Sequence, residues 1–158
     1  MTLSPEAADA RQRVTGYFEE RFGVPASAFD GHLLLRSGQS YWALSESAHA
    51  EALLGFPRLE YLGVRVLRRV GRFLKPTTYA LQRFARDARK NVVRIDRETL
   101  GRLLGSETGV EGDYDAEPGY VVLRMGDDVL GCGLWLGGRL RHCFPKGRGT
   151  ALRAGGLY

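Results

Sequence analysis

The sequence predicts an α+β protein, with an N-terminal α/β domain over residues 1–90 and a β-rich domain over residues 91–158. Three observations lead there. Near the N-terminus, Ala7, Val14, Tyr17, Phe18 and Phe22 recur with a helical period. Two short apolar runs follow, Leu33-Leu34-Leu35 and Tyr41-Trp42-Ala43-Leu44, with the turn formers Ser37-Gly38-Gln39 between them. In the last third, the strand-like stretches 120–124, 129–136 and 139–144 are joined by Gly126-Asp127-Asp128 and Gly137-Gly138, both hairpin signals. A chain of 158 residues, 44% of them apolar, is long enough to bury a core.

Each element has a local reason. Ser4 caps the first helix, Pro5 suits its first position and Glu6 complements the helix dipole. Gly23 and Pro25 end it. Residues 59–62 and 64–70 are strand-like. In the second stretch, Val64, Val66 and Val70 alternate with Arg65 and Arg69, so that one face packs and the other presents charge. Residues 71–76 read as a break. Thr77 or Thr78 then caps a helix to about Ala88, with Tyr79, Leu81, Phe84 and Ala88 on its apolar side and Arg83, Arg86, Arg89 and Lys90 opposite. Val92-Val93-Arg94-Ile95 is a short strand. Asp96 caps a helix containing Leu100, Leu103 and Leu104, which Gly105 ends. Residues 106–118, with five carboxylates, read as a loop turned away from any polyanion, and residues 147–158 as poorly ordered.

Charge is segregated. Residues 65–94 hold ten basic groups and one acidic group, Asp87, and residues 139–158 hold five basic groups and no acidic one. Residues 1–64 and 95–138 are net acidic, at −3 and −6, within a chain of net charge +5. Only Lys75, Lys90 and Lys146 are lysines; the other basic residues are arginines, whose planar fork suits phosphate and stacks on bases. Two basic blocks in an otherwise acidic chain point to a polyanionic partner.

Several classes are disfavoured. No apolar run reaches the roughly 18 to 20 residues of a membrane span, and the first residues lack the apolar run of a signal peptide, so the expected location is the cytoplasm. Cys132 and Cys143 are too few for a disulfide scaffold; they are expected as reduced core thiols, the alternative being a pair across neighbouring strands. His49, Cys132, His142 and Cys143 lack zinc-site spacing. The glycines of residues 131–137 do not make a dinucleotide fingerprint, and no P-loop is present. No cofactor, metal or catalytic residue is expected.

Gly71-Arg72-Phe73-Leu74-Lys75-Pro76, followed by Leu81, precedes a helix; a short strand and a Leu-rich helix follow. Then come Gly119-Tyr120-Val121-Val122, Leu130-Gly131-Cys132-Gly133, Gly138-Arg139-Leu140 and Phe144-Pro145-Lys146-Gly147. This ordered series, over residues 63–148, resembles the C-terminal RNA-binding region of Sun/Fmu-type RNA cytosine-C5 methyltransferases. The resemblance implies a PUA-like β-barrel at the C-terminus. The glycine-rich S-adenosylmethionine loop and the Pro-Cys nucleophile of that family are missing, so it implies RNA binding without methyl transfer.

The expected function is non-catalytic binding of structured RNA (rRNA, pre-rRNA or tRNA) in ribosome biogenesis or RNA modification, possible partners being ribosome-assembly or RNA-modifying proteins. The alternative is a protein-interaction subunit of such a complex. The expected RNA-binding residues are Arg65, Arg69, Arg72, Lys75, Arg83 and Arg86 in the central block, and Arg139, Arg141, Lys146 and Arg148 in the C-terminal one. Arg139 and Arg141 are two apart and share a strand face. Phe73, Tyr79, Trp135 and Phe144 are aromatic candidates for stacking on bases, each weighed against a place in the core.

Overall fold

A computed structural model describes residues 5–47 and 63–147. Ser4, the stretch 59–62, Arg148 and nearly all of the C-terminal stretch 147–158 lie outside these residues. Helix α1 spans Pro5–Phe22. Its residues Ala10, Val14, Phe18 and Phe22, four apart and fully buried, form the stripe that packs on the sheet. Gly23, at φ +64°, ends the helix. The amides of Gly23 and Val24 donate back to the carbonyls of Glu19 and Phe18, the pairing that satisfies the last free carbonyls.

Four antiparallel strands follow as a meander in the order β1-β2-β3-β4. They are β1 (His32–Ser37), β2 (Ser40–Ser45), β3 (Val64–Val70) and β4 (Phe73–Pro76). Helix α2 (Thr78–Phe84) comes next. It ends sooner than its sequence suggests: Ala85 is the C-cap, and the Arg89 and Lys90 amides turn to donate to the Phe22 carbonyl at the end of α1. Leu81 and Phe84 are buried as expected, whereas Tyr79 is 59% exposed.

The second sheet has the order β5-β7-β8-β9-β6. Its strands are β5 (Val92–Arg94), β6 (Val110–Glu111), β7 (Gly119–Met125), β8 (Asp128–Leu136) and β9 (Arg139–His142), with helix α3 (Arg97–Leu104) after β5. Asp96 caps α3 through Thr99, and this hydrogen bond holds the Asp96 carboxyl below its usual range. The acidic stretch is not wholly loop: Val110 is buried and β6 pairs with β9. The fold is therefore α+β, with two sheets and three α-helices among the described residues.

The middle of the second sheet is buried on both faces. Val122 and Cys132 join the core beneath α1 and α2, while Val121, Leu123 and Leu140 join a second core under α3. That double burial explains the unbroken apolar run at Tyr120–Leu123, unlike the alternation of a half-exposed strand. In the first core, Phe18 packs edge-on against Tyr17, Phe22 and Phe29, and Phe29 stacks on Phe84. Burying each such side chain contributes about 1.5–3 kcal/mol.

Asn91 ties α1 to the second sheet. It is buried and is the one non-glycine residue at positive φ (+53°) among those described. Its side chain donates to the Arg21 carbonyl and accepts from the Glu117 amide, while its own carbonyl accepts from Val122. Arg21 adds hydrogen bonds to the carbonyls of Tyr120 and Glu117.

Candidate nucleic-acid interface

The basic block of β3 does not follow simple alternation. Tyr41 is opposite Leu67, but Trp42 is opposite Arg65, leaving Val66 as the extra residue of a bulge. Val66 and Leu67 are consecutive and both fully buried. The bulge changes which arginines share a face. Arg65 faces with Trp42, and its guanidinium lies 5.6 Å from the centre of the Trp42 ring. Beyond the bulge, Arg68 pairs with Lys75 and Val70 with Phe73 on that same face, whereas Arg69 pairs with Leu74 on the face of the buried Leu67. The expected pairing of Arg65 with Arg69 is corrected: Arg68, absent from the sequence-derived set, is the partner of Arg65. Val70, expected to pack, is 39% exposed.

The stretch read as a break contains strand β4, the edge of its sheet. Gly71, at φ +60°, and Arg72 make the hairpin turn. Proline is tolerated at an edge because no ladder partner requires its missing N–H. Thr77 locks this strand to α2: its hydroxyl accepts from the Ala80 amide and donates to the Arg65 carbonyl. The backbone of Arg65 is thus held by the cap of the next helix.

Lys75 carries the basic surface to the second sheet. Its ammonium lies 5.9 Å from the centre of the Tyr120 ring on β7. Burial raises the Tyr120 phenol above its usual value, nearby Cys143 and Cys132 add to the rise, and Arg68 opposes it. Register places Tyr120 opposite Leu134, and Leu134 opposite Arg141. Cys143, just past β9, donates its amide to the Cys132 carbonyl, so the two cysteines are cross-strand neighbours; both are free thiols. A hydrogen bond from Cys132 pulls the Cys143 thiol down to about 7 against the effect of burial, with Lys75 and Arg141 assisting. Cys132 stays protonated well above the ordinary range, as the donor of that bond and because it is buried.

The result is a strip running Arg65, Arg68, Lys75, Arg141, interleaved with Trp42, Phe73 and Tyr120. Arg72 extends it at the hairpin turn, where its guanidinium lies 5.2 Å from the centre of the Phe73 ring. Among the described residues, no carboxylate forms an ion pair with Arg65, Arg68, Arg72, Lys75 or Arg141.

Arg139 shares the β9 face of Arg141 but is ion-paired, and the remaining expected residues sit on other elements. Arg139 is bound to Glu111 at 2.9 Å and to the Thr108 carbonyl. Lys146 is exposed in the turn after β9. Arg83 lies against His32 and Phe84 near the start of β1. Arg86 lines a cleft with Arg89, Lys90 and Arg124, alongside Glu19, Asp87 and Asp127. The aromatic candidates divide. Phe73 and Tyr79 are 60% and 59% exposed, whereas Trp135 packs on the second core against Tyr114. Phe144 belongs to that core and stacks on His142, whose imidazole burial keeps below its usual pKa.

Among the described residues, no three His, Cys, Asp or Glu side chains converge as a metal-binding group. No described helix is long and apolar enough to cross a membrane. No protein family and no curated protein matches this chain.

Proposed function

We propose that this protein is a non-catalytic RNA-binding protein that recognises structured RNA, of the ribosomal, pre-ribosomal or transfer type, through the strip from Arg65 to Arg141. On this reading it serves ribosome biogenesis or RNA modification in the cytoplasm, and its second sheet is a PUA-like unit. One observation carries the proposal: Lys75 from the first sheet lies 5.9 Å from the Tyr120 ring of the second, on the sheet face that Tyr120 shares, through Leu134, with Arg141. Each basic block thus contributes a cation to the side of the second sheet that carries the Tyr120 ring. Clustered cations attract the phosphate backbone by releasing its counterions, and interleaved rings suit exposed bases.

The test is binding of fluorescently labelled tRNA and rRNA fragments across a range of salt concentrations. With Arg65, Arg68, Arg72, Lys75 and Arg141 each neutralising a phosphate, log affinity falls against log salt with a slope of roughly 3.5 to 4.5. The Arg68→Glu, Lys75→Glu double variant is expected to lose at least tenfold in affinity. Equal affinity in the variant would refute the strip.

A further inference from the structure

We infer that the β3–β4 hairpin is a stacking site for an unpaired RNA base, with Phe73 as its platform; this rests on the RNA-binding reading above. Val70 and Phe73 face each other directly across the hairpin, at 39% and 60% exposure. Single exposed apolar side chains are ordinary on protein surfaces. Here two of them form one spot, and cations frame it. Arg72 lies over the Phe73 ring at 5.2 Å. Arg68 and Lys75, the next cross-strand pair, lie two residues away on the same face, roughly 7 Å along the strand. An aromatic surface bordered by three cations fits a nucleotide whose base stacks while its flanking phosphates pair.

The same geometry argues against a duplex as the ligand of this spot. Paired bases have their faces covered by their neighbours, and the deep major groove of A-form RNA admits no side chain. A base in a loop, bulge or end leaves a face free. Stacking on an aromatic ring tolerates any base, because every base has a π-face. Phe73 therefore selects unpaired over paired nucleotides, and does not by itself read sequence.

The experiment compares two RNAs with equal numbers of phosphates, a stem–loop with an unpaired uridine loop and a fully paired duplex. Each is titrated by fluorescence anisotropy at one salt concentration against wild type, Phe73→Ala, Phe73→Leu and Phe73→Trp. The Leu variant keeps apolar bulk without a π-face. Ala and Leu are expected to weaken stem–loop binding by roughly tenfold or more, to leave duplex binding unchanged, and Trp to retain both. Equal losses on both RNAs would assign Phe73 to the fold and overturn the inference. So would wild-type affinity of the Leu variant for the stem–loop, with the RNA-binding reading intact if Arg68→Glu, Lys75→Glu still loses both RNAs. Failure of the wild type to bind either RNA at low salt would overturn both readings.

Discussion

The Lys75 ammonium, from the edge strand of the first sheet, lies 5.9 Å from the centre of the Tyr120 ring in the second. This contact sets the central basic block against the face of the second sheet that also carries Arg141 of the C-terminal block. Its neighbours make the surface testable by means other than loss of charge.

Register gives the sharpest comparison. Arg68 and Arg69 are adjacent and both exposed, but only Arg68 shares a face with Lys75. Arg68→Glu is expected to weaken RNA binding roughly tenfold, since one reversed charge both removes a phosphate contact and repels the backbone. Arg69→Glu is expected to change it by about twofold or less, a long-range effect that salt screens. Parallel binding curves for the two variants check this.

Cys143 is a built-in probe of the strip. With its thiol pulled down to about 7, alkylation by iodoacetamide is expected to reach half its maximal rate near pH 7, because the thiolate is the nucleophile. Cys132→Ala removes the hydrogen bond and raises that midpoint. Lys75→Ala and Arg141→Ala raise it too, because each removes a cation that favours the thiolate. Mass-spectrometric rates at each pH give the midpoints; an unchanged midpoint in Lys75→Ala would separate Lys75 from the Cys143 thiol.

Asn91 is expected to be a stability hot spot. Replacement by Ala strips partners from the Arg21 carbonyl and the Glu117 amide, and places a less tolerant residue at φ +53°. The combined loss is about 2–4 kcal/mol. Asn91→Gly accommodates the backbone angle but not the hydrogen bonds, and should recover only part of it. Urea unfolding of both variants measures the difference.

Gly131 sets how closely α2 approaches β8. A Cβ there would lie 2.6 Å from Thr78 and 3.0 Å from Phe144, at a φ of +146°. Gly131→Ala is expected to cost about 2–4 kcal/mol. Gly126→Ala, at a turn with open space around it, carries only the strain of its positive φ and should cost less. Thermal melts of the two variants rank them.

Much of this was legible in the sequence. The helical period of α1 at Val14, Phe18 and Phe22, the Asp96 cap, a threonine cap for α2 (Thr77 of the two candidates) and both C-terminal hairpins follow from local signals that tertiary packing left in place. Strand β3 also followed, at Val64–Val70, but the facing of its arginines did not. Alternation assigned Arg65 and Arg69 to one face, and the bulge at Val66 put Arg68 there instead. A bulge is set by how both faces of the strand pack, which periodicity does not encode. Strand β4 hid behind Gly71 and Pro76, residues that mark a turn and an edge as readily as a break. Trp42 read as a strand residue, and only the Trp42–Arg65 register brings it to the strip. The exposure of Phe73 and Tyr79 was equally hidden, since their spacing also fits a core.

The most direct test of the strip is recovery of crosslinked RNA from cells, with sequencing, comparing wild type with a Lys75→Glu, Arg141→Glu variant whose folding is checked by its melting curve. The account predicts enrichment of a defined rRNA or tRNA region by the wild type and its loss in the folded variant. Equal recovery by both proteins, or recovery of protein partners with no RNA above background, would contradict it.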